Sequence, residues 1–388
     1  MPPADTTSAA TSLGYSASKL AAPEFRPHAD MPPLERPGRP YSFFEFWKPL
    51  YFYLPVWAYA GWLSLRYRGL SLPTIANPRL PMGGLVGESK RELLGELGET
   101  GKEYLAPYVT FPRSAADAEE DTAVALKRMD GAGLSYPLVA KPDLGCRGIG
   151  VKLICDRHDL ARYVAAFPKG LTIMLQELVT AEGEAGIFYV RLPGEQRGKI
   201  FSLTLKYSAY VKGDGQSTLR ELILDDPRAA RISDIYFARH AARLDDVIPK
   251  GSTFRLSFTR NHCRGAIFRD GEAYITPEMT RAFDEISQEM PEFYFGRYDV
   301  RFESLADLQQ GRNFRIVEFN GAGSEALHIW DGRMPLWRAY RDLLQQYRLL
   351  YKIGHINRQR GYKPTPFSEL IRSYRNQLKL DSDLPLTD

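Results

Sequence analysis

At 388 residues with 44% hydrophobic content, the chain is long enough for two or three units around substantial cores, and it is not a low-complexity sequence. A formal net charge of +4 is small for this length and gives no bulk electrostatic reason to expect a nucleic-acid binder. Cys146, Cys155 and Cys263 are odd in number and lack CxxC spacing, which disfavours a disulfide framework or a zinc knuckle and suits a reducing, cytoplasmic setting.

Met1 to Pro40 holds eight prolines and no apolar core behind a basic start, so no signal peptide is evident and a disordered arm is expected over 1–40. Residues 41–89 follow as an aromatic region containing FFEFWKPLYFYLPVWAYAGWLSLRYRG. Its longest uncharged run, Pro49 to Leu65, is 17 residues, at the bottom edge of a membrane-spanning length. Prolines, tyrosines and tryptophans in that run suit the membrane interface better than the hydrocarbon centre. The same aromatics could instead pack on the body as an N-terminal helix pair.

From Gly83, GGLVGESKRELLGELG predicts a glycine turn, a cap at Glu88 or Ser89 and a helix through Leu97. Ala115 to Met129 predicts a second helix, ended by GAG at 131–133. Strand signals follow at 136–141 (YPLVAK), 150–155 (GVKLIC) and 172–179 (TIMLQELV), with a short helix between the last two. GIFYVRL and KIFSLTLKY read as an antiparallel hairpin, and STLRELI opens a helix with Thr218 and Glu221 at capping-box spacing. This order indicates an α+β or mixed α/β body rather than a TIM barrel or a doubly wound sheet. Between Arg333 and Lys379 there are eleven Lys or Arg against only Asp342 and Glu369. Leu336, Tyr340, Leu343, Tyr347, Leu350 and Tyr351 recur there at helical spacing, predicting one or two basic amphipathic helices, either packed on the body or touching an anionic surface.

Four stretches carry chemistry. In FRIVEFNGAG (314–323), Glu318 and Asn320 share one face of a strand while Val317 and Phe319 take the other. In GRYDVRFES, Arg297, Asp299 and Arg301 oppose Tyr298, Val300 and Phe302 in the same way. Paired, the two strands would bring Asp299, Glu318 and Asn320 together as an all-oxygen set suited to Mg²⁺ shared with nucleotide phosphates. In LVAKPDLGCRGIGVKLI, Lys141 ends an apolar strand ahead of Gly145, Gly148 and Gly150, whose backbone N–H groups could close around phosphate. The spacing is GxxGxG between two strands, not the dinucleotide GxGxxG that opens a helix. In MLQELVTAEGEAG a strand ends in Glu177 with Glu184 seven residues on, an arrangement that could seat adenine on a strand-end backbone and ribose on a carboxylate. Taken singly, each glutamate reads as an ordinary surface acid.

In this order the parts resemble the ATP-grasp superfamily, most nearly carboxylate–amine ligases of the D-alanine–D-alanine ligase and cyanophycin-synthetase type, over roughly Lys90 to Glu325. The resemblance implies an α+β fold in which two subdomains clasp ATP: 90–185, then 186–333 with the metal site, followed by the basic helical tail at 334–388. It implies that Lys141, and Lys90 in GESK, meet phosphates along with the loop of Gly145, Gly148 and Gly150. Glu177 and the Val179 backbone would meet adenine, and Glu184 the ribose. A loop lysine, Lys206 or Lys212 in KYSAYVKGDGQSTLRELI, would lie over the phosphates. Asp299, Glu318 and Asn320 match the ligands of a pair of Mg²⁺ ions, or Mn²⁺, and Arg297 the arginine that stabilises the acyl-phosphate and the tetrahedral intermediate.

Asn261, His262, Cys263 and Arg264 in NHCRGAIF have no assignable counterpart; His262 is a candidate for proton transfer and Arg264 for holding a carboxylate or phosphate. The nucleotide-like βαβ domain of those ligases is not readable before Lys90. The implied reaction joins small-molecule or lipid-linked carboxylates and amines, in the cytoplasm or peripherally at the inner face of its anionic membrane. Its rivals are a kinase on the same ATP-grasp body and a nucleotide-binding, membrane-peripheral module without turnover.

Overall fold

The computed structural model describes His28 and residues 31–34, 41–114, 117–145, 148–261 and 265–385. Of the expected disordered arm, His28 and 31–34 lie against the body, because Met31 and Leu34 supply apolar surface to its core. The Tyr207 hydroxyl donates to the Pro32 carbonyl at 3.0 Å, and the Tyr207 ring meets the His28 ring edge-on, centroids 4.7 Å apart. The rest of that arm lies outside the described residues. The aromatic region forms one helix, α1 (Pro49–Arg66), rather than a pair. Pro49 explains the start: a proline disfavours helical geometry in the residue before it, and Lys48 is extended.

After α1 come α2 (Lys90–Gly95), whose N-cap is Ser89, and α3 (Glu99–Tyr104). A four-stranded antiparallel sheet follows, built from β1 (Tyr108–Pro112), β2 (Leu138–Pro142), β3 (Lys152–Ile154) and β4 (Thr172–Glu177) in the order β1-β4-β2-β3. Helices α4 (Ala118–Gly131), capped by Asp117, and α5 (Arg157–Ala166), capped by Asp156, cover one face. Ala125, Met129, Leu160 and Val164 from the helices meet Phe111, Leu138, Ala140 and Ile173 from the strands in one core. The glycine-rich loop therefore joins two antiparallel neighbours, β2 and β3.

The second sheet has five antiparallel strands, which lie side by side in the order Phe314–Asn320, Phe295–Phe302, Gly183–Val190, Lys199–Tyr207 and Ile267–Asp270. The expected hairpin is β5 (Gly183–Val190) with β6 (Lys199–Tyr207). Between β6 and β9 (Ile267–Asp270) the chain inserts a ribbon of β7 (Tyr210–Lys212) and β8 (Thr253–Arg255) with helices α6 (Leu219–Asp225) and α7 (Ser233–Arg239), closed around Leu219, Ile223, Tyr236 and Leu256. Both halves of the predicted Thr218/Glu221 capping box are present at α6. Helix α8 (Pro277–Glu289) precedes β10 (Phe295–Phe302), and α9 (Leu305–Gln309) connects β10 to β11 (Phe314–Asn320).

Period-two alternation divides this sheet into two environments. On one side Ile187, Tyr298, Val300 and Ile316 pack with Met279, Phe283 and Ile286 of α8. On the other, Phe188, Val190 and Phe295 pack on Leu350 and Ile353 of α10 (Leu336–Gln359), and farther along the same strands this face turns charged. The tail is thus two helices, α10 and α11 (Phe367–Asp383), with α10 docked on the body. Leu384, just beyond α11, reaches the core of the four-stranded sheet.

Candidate active site

Strand pairing answers the question raised by the two half-polar sequences. Asp299 on β10 stands opposite Glu318 on β11, and Arg297 opposite Asn320, in one antiparallel ladder. On the other side of β10, Asp299 is opposite Gly186 of β5. A Cβ at Gly186 would come within 3.3 Å of both the Arg297 and the Asp299 side chains, so the absent side chain leaves room for their ion pair. Arg297 grips Asp299 with two donors, Nε to Oδ1 at 2.9 Å and Nη2 to Oδ2 at 3.2 Å, and donates from Nη1 to the Glu325 carbonyl at 3.0 Å. Lys206 of β6 adds a second cation, 3.0 Å from Asp299 Oδ1 and 3.4 Å from Glu184 Oε1. Burial opposes charge on Asp299, but Arg297 and Lys206 outweigh it and hold the carboxyl below its usual range.

The four-stranded sheet closes this face from across a cleft of about 230 Å³. Buried Lys141 bridges the two sheets, its Nζ donating to Gln176 Oε1 at 2.9 Å and to the Val317 carbonyl of β11 at 3.0 Å. Burial pushes its ammonium down to about 8, with Glu318 and Asp299 opposing the shift. Glu177 and Val179 at the end of β4 line the same cleft, as does Gly148. Gly145, Gly148 and Gly150 all have positive φ, the backbone geometry that glycine adopts without strain.

The cleft gathers Lys141, Gly148, Glu177, Val179, Glu184 and Lys206 with Arg297, Asp299, Glu318 and Asn320. Lys90 and Gly145 line an adjoining cavity of about 110 Å³ that shares Glu318 and Asn320, and Lys90 Nζ donates to the Gly145 carbonyl at 2.7 Å. Gly150 touches neither cavity lining, but its carbonyl accepts from Tyr163. Between the two candidate loop lysines the geometry separates clearly: Lys206 is buried in the cleft, whereas Lys212 is exposed on β7 and outside it. Asn261 lines the cleft, while His262 and Arg264 lie outside the described residues. Glu184, expected at a ribose, is held by Arg301 at 3.0 Å, Arg260 at 3.3 Å and Lys206, which together keep it charged against burial.

Two participants escaped sequence reasoning. Arg260, next to Asn261, is a buried cleft cation whose guanidinium also meets Glu182 and donates to Ser208 Oγ at 2.8 Å. Desolvation lowers its pKa to about 9. Glu88, read only as a helix cap, lines the adjoining cavity and accepts from the Gly321 N–H at 3.4 Å; burial pushes its carboxyl up to about 8. The actual cap is Ser89, whose hydroxyl also donates to Asp143 at 2.8 Å. Glu88 is brought to the site because the Gly83/Gly84 turn docks on the 321–323 turn, with Ala322 N–H donating to the Gly83 carbonyl at 3.1 Å.

A cation fits part of this arrangement. Among the described residues no three His, Cys, Asp or Glu side chains converge on one point. The donor set is instead two carboxylates and an amide. Among the described residues Glu318 accepts no hydrogen bond and buried Asn320 Nδ2 has no partner, so the Asn320 amide is available to turn its oxygen to a metal. Hard oxygen donors of this kind suit Mg²⁺.

No family model and no curated protein matches the chain. Among solved structures it is similar to a bifunctional glutathione synthetase from Pasteurella multocida, at 17% identity and TM-score 0.32 over 64% of this chain and 36% of that one. It is also similar to the D-alanine–D-alanine ligase from Coxiella burnetii, at 12% identity and TM-score 0.38 over 76% and 64% of the two chains. The corresponding values for the D-alanine–D-alanine ligase from Bacillus anthracis are 12%, 0.40, 73% and 72%. The chain thus spans about a third of the first of these proteins and under two thirds of the second. Superpositions this loose leave the site to be judged on its own residues.

Proposed function

We propose that the chain is an ATP-grasp enzyme, an ATP-dependent ligase joining a carboxylate to an amine. The observation that carries this reading is the pairing of Asp299 with Glu318 across one ladder, beside Arg297 and Lys206 and facing Lys141 of the other sheet. Five cations, Lys141, Lys206, Arg260, Arg297 and Arg301, line the cleft with four carboxylates, Glu177, Glu184, Asp299 and Glu318. Lys141 donates to neutral oxygens of Gln176 and Val317 while the other four cations pair with carboxylates, so its charge is the one available to a phosphate.

The substrate carboxylate oxygen attacks the γ-phosphorus, the bond to the β-phosphate oxygen breaks, and ADP leaves. The amine then adds to the acyl carbon, the C–O bond to phosphate breaks with its electron pair, and the proton lost from the amine nitrogen ends on the departing phosphate. Lys141 and Lys206 would hold phosphate oxygens from opposite walls, with the Gly148 backbone lining the same cleft. Arg297, already fixed by Asp299 and the Glu325 carbonyl, is pre-organised to meet the developing oxyanion, a contribution of about 3 to 4 kcal/mol in comparable sites. Asp299, Glu318 and Asn320 would hold Mg²⁺, whose chemistry there would be to neutralise phosphate charge. Small-molecule or lipid-linked carboxylates and amines are the substrate classes we assign.

The test is ADP release by the purified protein against pooled carboxylates with pooled amines. ADP release that needs both pools supports ligation. Release with a hydroxyl acceptor and no amine would make it a kinase, and unchanged ATP consumption in a Glu318→Ala variant would remove the site assignment.

A further inference from the structure

Helix α1 is apolar on both of its faces. Inward, Phe52 stacks on Tyr340 at 5.4 Å and meets Trp330 at 4.8 Å. Outward, Leu50 is 58% exposed, Leu54 58%, Trp57 48%, Trp62 49% and Leu65 80%. Leu50, Leu54 and Trp57, and again Trp62 and Leu65, follow three- and four-residue spacing on the side away from Phe52, Val56 and Leu63, and no charged residue interrupts them between Lys48 and Arg66. Eighteen helical residues extend about 27 Å, so the open strip is a contiguous apolar surface rather than scattered exposure.

The chemistry around the strip selects its occupant. Three leucines and the indoles of Trp57 and Trp62 make up its bulk, and cations stand at both ends, Lys48 before it and Arg66 after it, with the Arg66 guanidinium 5.4 Å from the Trp62 ring. Helix α10 runs alongside in the same direction: the Tyr340 hydroxyl donates to the Phe52 carbonyl at 2.9 Å, and the Tyr351 and Ser64 hydroxyls meet at 2.9 Å. Its open side carries Trp337, Arg341, Arg348 and Lys352, again with a guanidinium, that of Arg341, over an indole at 5.6 Å. Apolar bodies with indole and cationic tips are the side chains that settle at headgroup depth, and the basic row adds attraction to anionic lipid. No helix among the described residues is long and apolar enough to cross a membrane.

We propose that α1 lies in the plane of an anionic membrane, its outward strip at the boundary of headgroups and acyl chains and the basic side of α10 against the headgroups. This stands independently of the reaction catalysed in the cleft.

The test is flotation of the full-length protein with phosphatidylcholine vesicles and with vesicles also containing phosphatidylglycerol. The wild type floats with the anionic vesicles, and its tryptophan emission shifts to the blue. A Leu54→Ser/Trp57→Ser/Leu65→Ser variant, altered only at outward positions, partitions roughly tenfold or more weakly while its thermal melt stays that of the wild type. Reversing Arg341, Arg348 and Lys352 to Glu removes the preference for anionic over zwitterionic vesicles. Wild-type protein that stays with the lipid-free fraction, or a serine variant that floats as the wild type does, overturns the proposal. So does a wild-type dimer that ignores vesicles and dissociates in the serine variant, since that outcome assigns the strip to a second copy.

Discussion

The Tyr53 hydroxyl donates to Glu325 Oε2 at 2.7 Å, and the backbone carbonyl of that same glutamate accepts from Arg297. The aromatic N-terminal helix is therefore a buttress of the turn that holds Arg297 in the cleft as well as a surface. Trp330 Nε1 holds the other oxygen of Glu325 at 2.9 Å. Tyr53→Phe removes one hydrogen bond to a charged group while keeping the ring in place. We expect a loss of about 1 to 2 kcal/mol in unfolding free energy by urea titration. We also expect a several-fold drop in ADP release with little change in nucleotide affinity, because the loosened turn carries an Arg297 contact and no phosphate contact. Unaltered turnover would confine Tyr53 to stability.

Glu318 differs from its neighbour Asp299 in carrying no hydrogen bond that folding relies on. Glu318→Gln keeps the shape and leaves the Arg297–Asp299 pair intact, so the thermal midpoint should stay within the small range of a surface substitution. Turnover should fall on the order of a hundredfold or more, and Mg²⁺ should no longer tighten ADP binding in calorimetry. Asp299→Asn is the contrasting variant. It leaves Arg297 and Lys206 buried beside a neutral amide and should destabilise by about 3 to 5 kcal/mol.

The half-polar strands were legible because alternation is a local property: Asp299 and Glu318 announce their faces within a few residues. Lys141 was legible for the same reason, ending an apolar run before glycines. The choice between Lys206 and Lys212 was not, since both sit in one strand-like stretch and only the pairing of β6 with β5 and β9 shows which is enclosed. Arg260 gave no local signal either, because its partner Glu184 is 76 residues away and the residues around it are irregular. Pro49 to Leu65 reads identically whether packed or exposed. Only the fold divides it into an inner face of Phe52, Val56 and Leu63 and an outer one of Leu54, Trp57 and Leu65.

Under the proposed function, Lys141 should make nucleotide affinity depend on pH. With its ammonium lowered to about 8 by burial, it loses charge as pH rises from about 7 to about 9 and ceases to attract phosphate. ADP affinity should weaken across that window. Stability moves the opposite way: above a pH of about 8 the unfolded chain, with an ordinary lysine near 10.5, binds the proton more tightly than the folded one, so this lysine's contribution rises with pH. Lys141→Met should flatten both profiles, and an ADP affinity that still falls through the same window in that variant would move the titration to another group.

Glu88 supplies the last prediction, and its sign is opposite to that of most carboxylates. Its folded value of about 8 lies above the ordinary 4.5, with burial as the main cause and the nearby charge of Glu318 adding to it. Between those two values the folded protein holds a proton that the unfolded chain releases, so stability falls as pH rises from about 5 to about 8. Glu88→Gln keeps an acceptor for the Gly321 N–H and removes the titration. The variant should match the wild type near pH 5 and exceed it in thermal midpoint near pH 8. If the two melting curves shift in parallel across that range, the proton resides on another group, and Glu88 is charged at the edge of the Glu318 cavity.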